Sequence, residues 1–343
     1  MLPNWTSDPG RRALRAAVLL AALLSLAVTA TAISRADDGD PADAPPLVAP
    51  DGPFLGVLPQ TDNSVSGEDD TPTEAQVSRP LVYRGGSVMR SNTVYAIYWV
   101  PAGYSVSRNY TSVINGFFAN VARDSKKHTN VYGTDAQYYE KDAHGNTRPI
   151  AYSVSVGGSV VDTSPFPSSG CTPAGSVCLT DGQLKTELSK VIRAHGWPSG
   201  YSQAYFLLLP KRVDLCMTPG ACTYSPSGGF CAYHSYYGSG PTIYAAIPYA
   251  AGLGCSSGQR PNGDDADDTL NGLSHEHNEM VTDPDQAGWI DAAGYENGDK
   301  CAWTFGSALG GAAGAKFNQA IGGGHYYLQE EWSNDGSRCL QRY

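Results

Sequence analysis

Eight cysteines, all between residues 171 and 339, constrain the fold more than any other feature of this 343-residue chain. An even number of cysteines is typical of secreted domains that disulfides hold together. The absence of a C-x-x-C pair argues against a cysteine-rich zinc site. We therefore predict disulfide-stapled loops and expect two of the bridges to be Cys171–Cys178 and Cys301–Cys339, while the remaining connectivity stays open.

Residues 1–36 have the pattern of a secretory signal peptide. Arginines including Arg11 precede an apolar run from Ala16 to Val28, and small residues follow that run. The run is short for a membrane span, and an uncleaved N-terminal anchor is the alternative. We expect a secreted protein, extracellular or cell-wall associated, without stable membrane insertion after signal cleavage.

Residues 37–79 are rich in Pro, Asp and Glu and lack a periodic apolar pattern. Such a segment buries too little apolar surface to offset the entropy lost on ordering, so we predict a disordered linker or pro-segment. Its ten acids and one base give a net charge of -9, out of -10 for the whole chain. The rest is close to neutral and shows no basic patch, which argues against nucleic acid as a partner.

Residues 80–343 are enough for a single domain of mixed α/β (α+β) class with a mixed sheet. Three segments rich in β-branched and aromatic residues predict strands, at 92–100, 204–209 and 242–249. Between them, two apolar stripes have helical spacing. One contains Ile114 and Phe117, and the other contains Leu184 and Leu188.

The second of these helices carries recognisable end signals. Thr180 or Asp181 is the expected N-cap, and Gly196 marks the end of the helix. Another helix is expected after the strand at 242–249, and this third helix contains the residues with the clearest chemical pattern.

His275, Glu276 and Glu279 form an H-E-x-x-E pattern. It is similar to the H-E-x-x-H helix of zinc peptidases, in which two ligands one turn apart hold the metal and the intervening Glu is the general base. A carboxylate is an acceptable zinc ligand, so Glu279 can replace the second histidine. The alternative is a solvated acidic helix surface.

A helical projection at about 100° per residue places His275, Glu276 and Glu279 in one quadrant. His277 falls on the opposite, apolar face. We therefore interpret His277 as a core histidine or one that supports the site, and not as a ligand of the same metal.

A third ligand is expected among three downstream acids. Glu296 is preferred and Asp299 comes next, because a second element can return a carboxylate from that distance. Asp285 is third, since it lies ten residues after His275 but Thr282 replaces the glycine usual in such turns.

Asp264, Asp265, Asp267 and Asp268 precede the helix and are a candidate calcium site. The alternative is a helix N-terminus with Asp267 or Asp268 as its cap. His325 could donate to a transition state, and the alternative is a plain surface histidine.

Between residues 80 and 343 the chain resembles the phosphate-induced, or Exordium-like, family of extracellular proteins, as a bacterial relative. The resemblance implies a single zincin-like domain with an H-E-x-x-E metal-binding helix in a secreted or wall-associated protein; in plants, such proteins are linked to growth and to carbon or phosphate status. It rests on the following segments: Tyr83-Arg84-Gly85-Gly86-Ser87-Val88, Asn92-Thr93-Val94-Tyr95, Gly229-Phe230-Cys231-Ala232-Tyr233-His234, Ser274-His275-Glu276-His277-Asn278-Glu279, Thr282-Asp283-Pro284, Glu296-Asn297-Gly298-Asp299-Lys300-Cys301 and Gln329-Glu330-Glu331-Trp332-Ser333-Asn334.

Two hypotheses follow. The first is a secreted zinc-dependent hydrolase, a peptidase acting on an extracellular polypeptide, with Glu276 as general base and with His275, Glu279 and Glu296 or Asp299 as ligands. The second is a non-catalytic extracellular or cell-wall-associated binding or signalling protein that keeps a structural metal site. Its partner would be a polypeptide or a cell-wall component.

Overall fold

The structure is a computed structural model, and it describes residues 56–61, 79–171, 177–224 and 229–343. The predicted signal peptide and most of the predicted linker lie outside these ranges. Within them, the helices are all too short or too polar to cross a membrane.

Short strands and three α-helices alternate along the described chain. The helices are α1 (Tyr110–Arg123), α2 (Asp181–His195) and α3 (Ala266–Thr282), and two 3-10 helices span Val131–Gln137 and Asp299–Cys301. The strands are β1 (Val57–Pro59), β2 (Val82–Tyr83), β3 (Asn92–Trp99), β4 (Tyr139–Lys141), β5 (Thr147–Pro149), β6 (Val154–Asp162), β7 (Val177–Thr180), β8 (Gln203–Leu208), β9 (Val213–Thr218), β10 (Ala221–Cys222), β11 (Phe230–Tyr237), β12 (Thr242–Ile247), β13 (Trp289–Ile290), β14 (Gln319–Ile321), β15 (Gly324–Tyr326), β16 (Glu331–Ser333) and β17 (Arg338–Leu340).

The main sheet has six strands in the order β1-β11-β12-β8-β3-β6. The four strands from β12 to β6 are parallel, whereas β11 runs antiparallel to β12 and β1 runs antiparallel to β11. This mixed sheet confirms the predicted mixed α/β class. The short strands β7, β9 and β10 form a second sheet beside α2.

Helices cover both faces of the main sheet. Helices α1 and α3 share one apolar cluster with side chains such as Phe206 and Ala245, and α2 packs in another cluster with Tyr205 and Tyr244. Alternate residues of β8 and β12 thus enter opposite cores, as the two-residue period of a strand requires. Because both faces are buried, these strands are apolar throughout.

The three predicted strands agree with β3, β8 and β12 to within two residues, and the two apolar stripes lie on α1 and α2. The N-cap of α2 is Thr180, which forms a capping box with Gln183, and Gly196 ends the helix with φ 63°. The N-cap of α3 is Asp265, so the prediction of Asp267 or Asp268 is wrong. The helix begins earlier because the Asp264 carboxylate accepts a hydrogen bond from the amide of Ala266, at 3.0 Å.

All eight cysteines are paired, so disulfides hold the described domain together. The expected bridges Cys171–Cys178 and Cys301–Cys339 are confirmed, and the other two join Cys216 to Cys222 and Cys231 to Cys255. The sulfur atoms of Cys178 and Cys216 lie 3.5 Å apart. Because both belong to disulfides, this proximity does not make a thiolate metal site.

Strand β1 was not expected. It lies within residues 37–79, where we predicted a disordered linker or pro-segment, yet its backbone pairs with β11 and Leu58 is fully buried. The acidic composition of the whole segment concealed the short apolar run Val57-Leu58. For residues 56–61, the prediction of disorder is therefore wrong.

Candidate metal centre

Helix α3 presents the H-E-x-x-E side chains to the interior of the protein. All of its residues are buried, and His275, Glu276 and Glu279 are each 0% exposed. This burial excludes the alternative of a solvated acidic surface. Isolated buried charges are costly, so these groups require a compensating partner.

His275, Glu279 and Asp299 converge on one point. The Nε2 atom of His275 lies 3.1 Å from Glu279 Oε1 and 3.7 Å from Asp299 Oδ1. The ligand atoms of a tetrahedral zinc ion, about 2.0–2.2 Å from the metal, are themselves separated by roughly 3.4 Å. The three donors therefore match zinc in chemical type and in spacing.

The hydrogen bonding of His275 is also relevant to metal binding. Although His275 Nε2 is close to Glu279 Oε1, the two atoms do not meet hydrogen-bond geometry, and His275 Nε2 has no hydrogen-bond partner in the described protein. Buried polar atoms normally have partners, and this imidazole nitrogen instead faces the carboxylates of Glu279 and Asp299, which is an arrangement that a cation can bridge. The residues present thus form a group that can hold a metal ion.

Asp299 reaches the site from the turn at residues 296–301, which comes after β13 and returns to α3. Its amide donates to Glu279 Oε1 at 2.9 Å, and its carboxylate accepts from the amide of Glu296 at 3.0 Å. Within this turn, Asn297 accepts a hydrogen bond from the Thr282 hydroxyl at the end of α3, at 3.1 Å. These contacts hold one oxygen of Asp299 towards His275.

The three candidates for the third ligand occupy different places. Asp299 lies beside His275, whereas Glu296, which we preferred, lies with Oε2 3.7 Å from His234 Nε2. Asp285 accepts a hydrogen bond from the Tyr201 hydroxyl at 2.7 Å. The geometry therefore favours Asp299 and places Glu296 at the side of the site, because the backbone turn directs the two side chains to different histidines.

His234 is the site residue that sequence reasoning missed. It lies on β11, fully buried, with Nδ1 3.2 Å from Glu276 Oε2 and 3.6 Å from Glu279 Oε2. Its Nε2 donates to the carbonyl oxygen of Asp283 at 3.1 Å. The available signal was strand alternation, since His234 shares a strand face with Ala232, which contacts α3 at Gly272.

Burial and neighbouring charges together set the ionisation of the site. Burial raises the pKa of Glu276 to about 7, against the lowering effect of its hydrogen bond with His234. Burial disfavours the imidazolium of His275, but the Glu279 carboxylate raises the pKa of His275 to about 9. Burial also opposes ionisation of Glu279, yet the positive charge of His275 lowers the pKa of Glu279 to about 2.

Two glycines allow the backbone to approach the histidines. A Cβ atom on Gly298 would lie 2.8 Å from His275 Nδ1 and 2.9 Å from Glu279 Oε1. A Cβ atom on Gly56, at the start of β1, would lie 2.7 Å from Cε1 of His234 and 3.4 Å from Glu296 Oε1. A larger residue at either position would therefore displace a side chain of the site.

His277 lies away from the site, as the helical projection predicts. Its Nε2 lies 3.0 Å from Asn92 Oδ1 and its Nδ1 lies 3.2 Å from the Tyr132 hydroxyl, and Phe206 contacts its ring edge-on. Burial lowers the pKa of His277 to about 3, so the ring is neutral. It joins α3 to the sheet.

The acidic run before α3 is bound by protein donors. Arg260 forms ion pairs with Asp265 and Asp268, and Asn262 donates to Asp267. Asp267 and Asp268 lie in the first turn of α3, where they complement the helix dipole. Calcium binding at this run stays a prediction.

His325 is exposed and stacks on the ring of Phe317, with ring centroids 3.8 Å apart. This position fits a surface histidine. We assign it no part in the site.

Comparison of the chain with family models, characterised proteins and solved structures gives no match. The function is therefore inferred from the geometry and chemistry of the site.

Proposed function

We propose that this protein is a secreted zinc-dependent hydrolase, a peptidase, with the metal held by His275, Glu279 and Asp299. One observation carries the proposal: buried carboxylate oxygens of Glu279 and Asp299 lie 3.1 and 3.7 Å from His275 Nε2, and Glu276 lies on the same helix as His275 and Glu279. Four disulfides suit an oxidising compartment. The substrate class is an extracellular polypeptide.

The chain's own residues would supply the proton transfer. Bound zinc provides a Lewis acid that polarises a carbonyl and makes water more acidic. Glu276 would take the proton from the water that attacks the peptide carbonyl, and would deliver it to the leaving amine as the C–N bond breaks. His234 holds the Glu276 carboxylate through the 3.2 Å contact.

Metal content tests the binding site. Purified full-length protein should hold one zinc per chain, and His275→Ala should lose it, because one of three donors is removed. His325→Ala is the matched control, since His325 is exposed and stacked on Phe317. Elemental analysis that finds no stoichiometric metal in the unmutated protein would contradict the proposal.

Hydrolysis of an unfolded protein substrate tests the catalytic role of Glu276. Glu276→Gln should keep its zinc and lose activity by about 10²- to 10⁴-fold, as expected for removal of a general base. Glu187→Gln is the control, because Glu187 lies on α2 at the other face of the sheet and pairs with Lys190. Equal activity of Glu276→Gln and wild type would contradict this role.

Burial of the site favours one alternative function. The three donors are between 0 and 5% exposed, which is typical of a structural metal site. The alternative is a non-catalytic extracellular or cell-wall-associated binding or signalling protein. In that case Glu276→Gln would leave metal content and every measurable function unchanged.

A zincin-like domain and a relationship to the Exordium-like family are part of this proposal. They rest on the H-E-x-x-E helix and on the spaced segments that carry the resemblance, and both stay predictions.

A further inference from the structure

Strand β1 forms the outer edge of the main sheet next to the candidate metal centre. Its register pairs Val57 with Tyr233 and Leu58 with Ala232, and the amide of His234 donates to the carbonyl oxygen of Gly56 at 3.0 Å. The strand that carries His234 therefore has its free edge occupied by a segment from outside residues 80–343.

The N-terminal end of β1 lies against the site itself. Gly56 approaches so closely that an added Cβ atom would meet both His234 and Glu296. Its φ of 61° is in the left-handed region, where glycine is favoured. The backbone at Gly56 thus covers the imidazole that contacts Glu276.

A disulfide holds the surface on which β1 packs, whereas no disulfide holds β1 itself. Cys231 on β11 is bridged to Cys255, and Leu58 packs on this disulfide together with Leu253. Strand β1 has three residues and contains no cysteine. Hydrogen bonds hold the segment at Pro59, which accepts from Trp303 at 2.9 Å, and at Thr61, whose hydroxyl donates to Gly254 at 2.7 Å. Such non-covalent contacts can open locally while the disulfide-linked body stays folded.

Release of β1 would leave a peptide-binding edge. The amide of His234 would lose its partner, and an extended polypeptide that adds to β11 can satisfy such a group by strand pairing. A peptide in this place would pass directly beside His234 and Glu296. Because the hydrogen bonds come from the main chain, this edge would bind extended polypeptides whatever their side chains.

We propose that β1 is a detachable strand that keeps the metal centre closed, and that an extended polypeptide pairs with β11 in its place. This inference rests on the proposed peptidase function, since it names the site where the substrate binds. Glu276, the proposed general base, is 0% exposed in the structure, in which β1 is seated.

The first test uses Leu58→Asp in the full-length chain, because a charge in this buried seat should expel β1. Hydrogen exchange at the His234 amide should accelerate by about tenfold or more, while amides between β8 and β12 stay protected. Removal of bound zinc by a chelator should accelerate to a similar extent. Val161→Asp is the matched control, because Val161 is exposed on β6, the opposite edge strand of the same sheet.

A second experiment tests the inference even if the Leu58→Asp variant misfolds. A site for a sequence-specific protease is inserted between residues 61 and 79, and the folded chain is cut and separated from its N-terminal fragment under native conditions. A synthetic peptide of residues 56–61 should bind the cut protein and restore the slow exchange of His234. Unchanged exchange after the cut, or no binding of this peptide, would overturn the inference.

The two proposals can fail separately. Peptide binding and faster exchange without any hydrolysis would reject the peptidase and leave the role of β1 intact. Hydrolysis that depends on Glu276 but proceeds equally with β1 seated or removed would reject only the role of β1.

Discussion

At the scale of single residues, close packing decides which groups can meet at the site. Gly298 lets the turn before Asp299 press against His275, and His277 on the other side of α3 binds Asn92 and Tyr132. His275 and His277 are close in sequence on α3, yet their surroundings shift their pKa values in opposite directions. His275 faces carboxylates that raise its pKa, whereas burial alone lowers the pKa of His277.

Gly298→Ala should weaken zinc binding. The added methyl group would push against His275 Nδ1 and Glu279 Oε1, and we expect a loss of affinity of about tenfold or more, as for other groups that orient metal ligands. Competitive titration with a chelating dye measures this. Gly116→Ala on α1 is the control, because its Cβ atom would meet open space. Equal affinity in both variants would contradict the prediction.

His277 should contribute to acid sensitivity. Burial lowers its folded-state pKa to about 3, and the unfolded value is about 6.5, so the unfolded chain binds the proton more readily. The contribution of neutral His277 to the free energy of unfolding is therefore fully present above pH 6.5, and it is lost as the pH falls towards 3. The free energy of unfolding changes by about 1.4 kcal/mol per pH unit in this window.

His277→Gln should remove this slope. Between pH 6.5 and 4.5, urea unfolding should show that the wild type loses about 2–3 kcal/mol more than the variant. Burial raises the pKa values of Asp135 and Glu331, which act in the opposite direction but are common to both proteins. The exposed His128 gives a control, His128→Gln. Identical slopes for wild type and His277→Gln would contradict the prediction.

At the scale of elements, the site depends on the attachment of the Glu296–Cys301 turn to α3. Asn297 binds Thr282, Gln329 donates to the carbonyl oxygen of Gly298 at 2.8 Å, and Cys301 is bridged to Cys339. The disulfide lies two residues after Asp299. The C-terminal strands thus fix the position of a candidate ligand.

The double variant Cys301→Ser/Cys339→Ser should lose both stability and zinc affinity. The bridge spans 38 residues, and the chain-entropy model gives a loss of about 4 kcal/mol for such a loop. Urea unfolding and zinc titration measure the two effects. Cys216→Ser/Cys222→Ser, in the small sheet beside α2, should lose stability but keep its zinc affinity. Unaltered zinc affinity in the first variant would contradict the prediction.

At the scale of the whole molecule, folding and metal binding should be coupled. Four carboxyl groups are buried together beside two histidines, His234 and His275, and burial of more carboxylates than cationic partners is unfavourable. They belong to Glu276, Glu279, Glu296 and Asp299. A divalent ion that binds only the folded state offsets this cost. The charges at the centre thus affect the stability of the entire domain.

Zinc should therefore raise the melting temperature of the wild type. Free zinc at a hundredfold excess over its dissociation constant adds about 2.7 kcal/mol, which corresponds to roughly 5 °C for a domain of this size. Calorimetry across a zinc series measures the shift. His275→Ala should show none, and an equal shift in this variant would indicate binding elsewhere.

The amino-acid sequence by itself determined the local features. Helical periodicity placed His275, Glu276 and Glu279 on one face and His277 on the other, and the capping signal at Thr180 and the short Cys171–Cys178 bridge depend on near neighbours in the chain. Only the tertiary structure brought His234 to Glu276, selected Asp299 over Glu296 beside His275, and seated β1 on β11. Those contacts depend on strand pairing and on backbone turns between distant segments, and sequence spacing does not specify which distant groups meet.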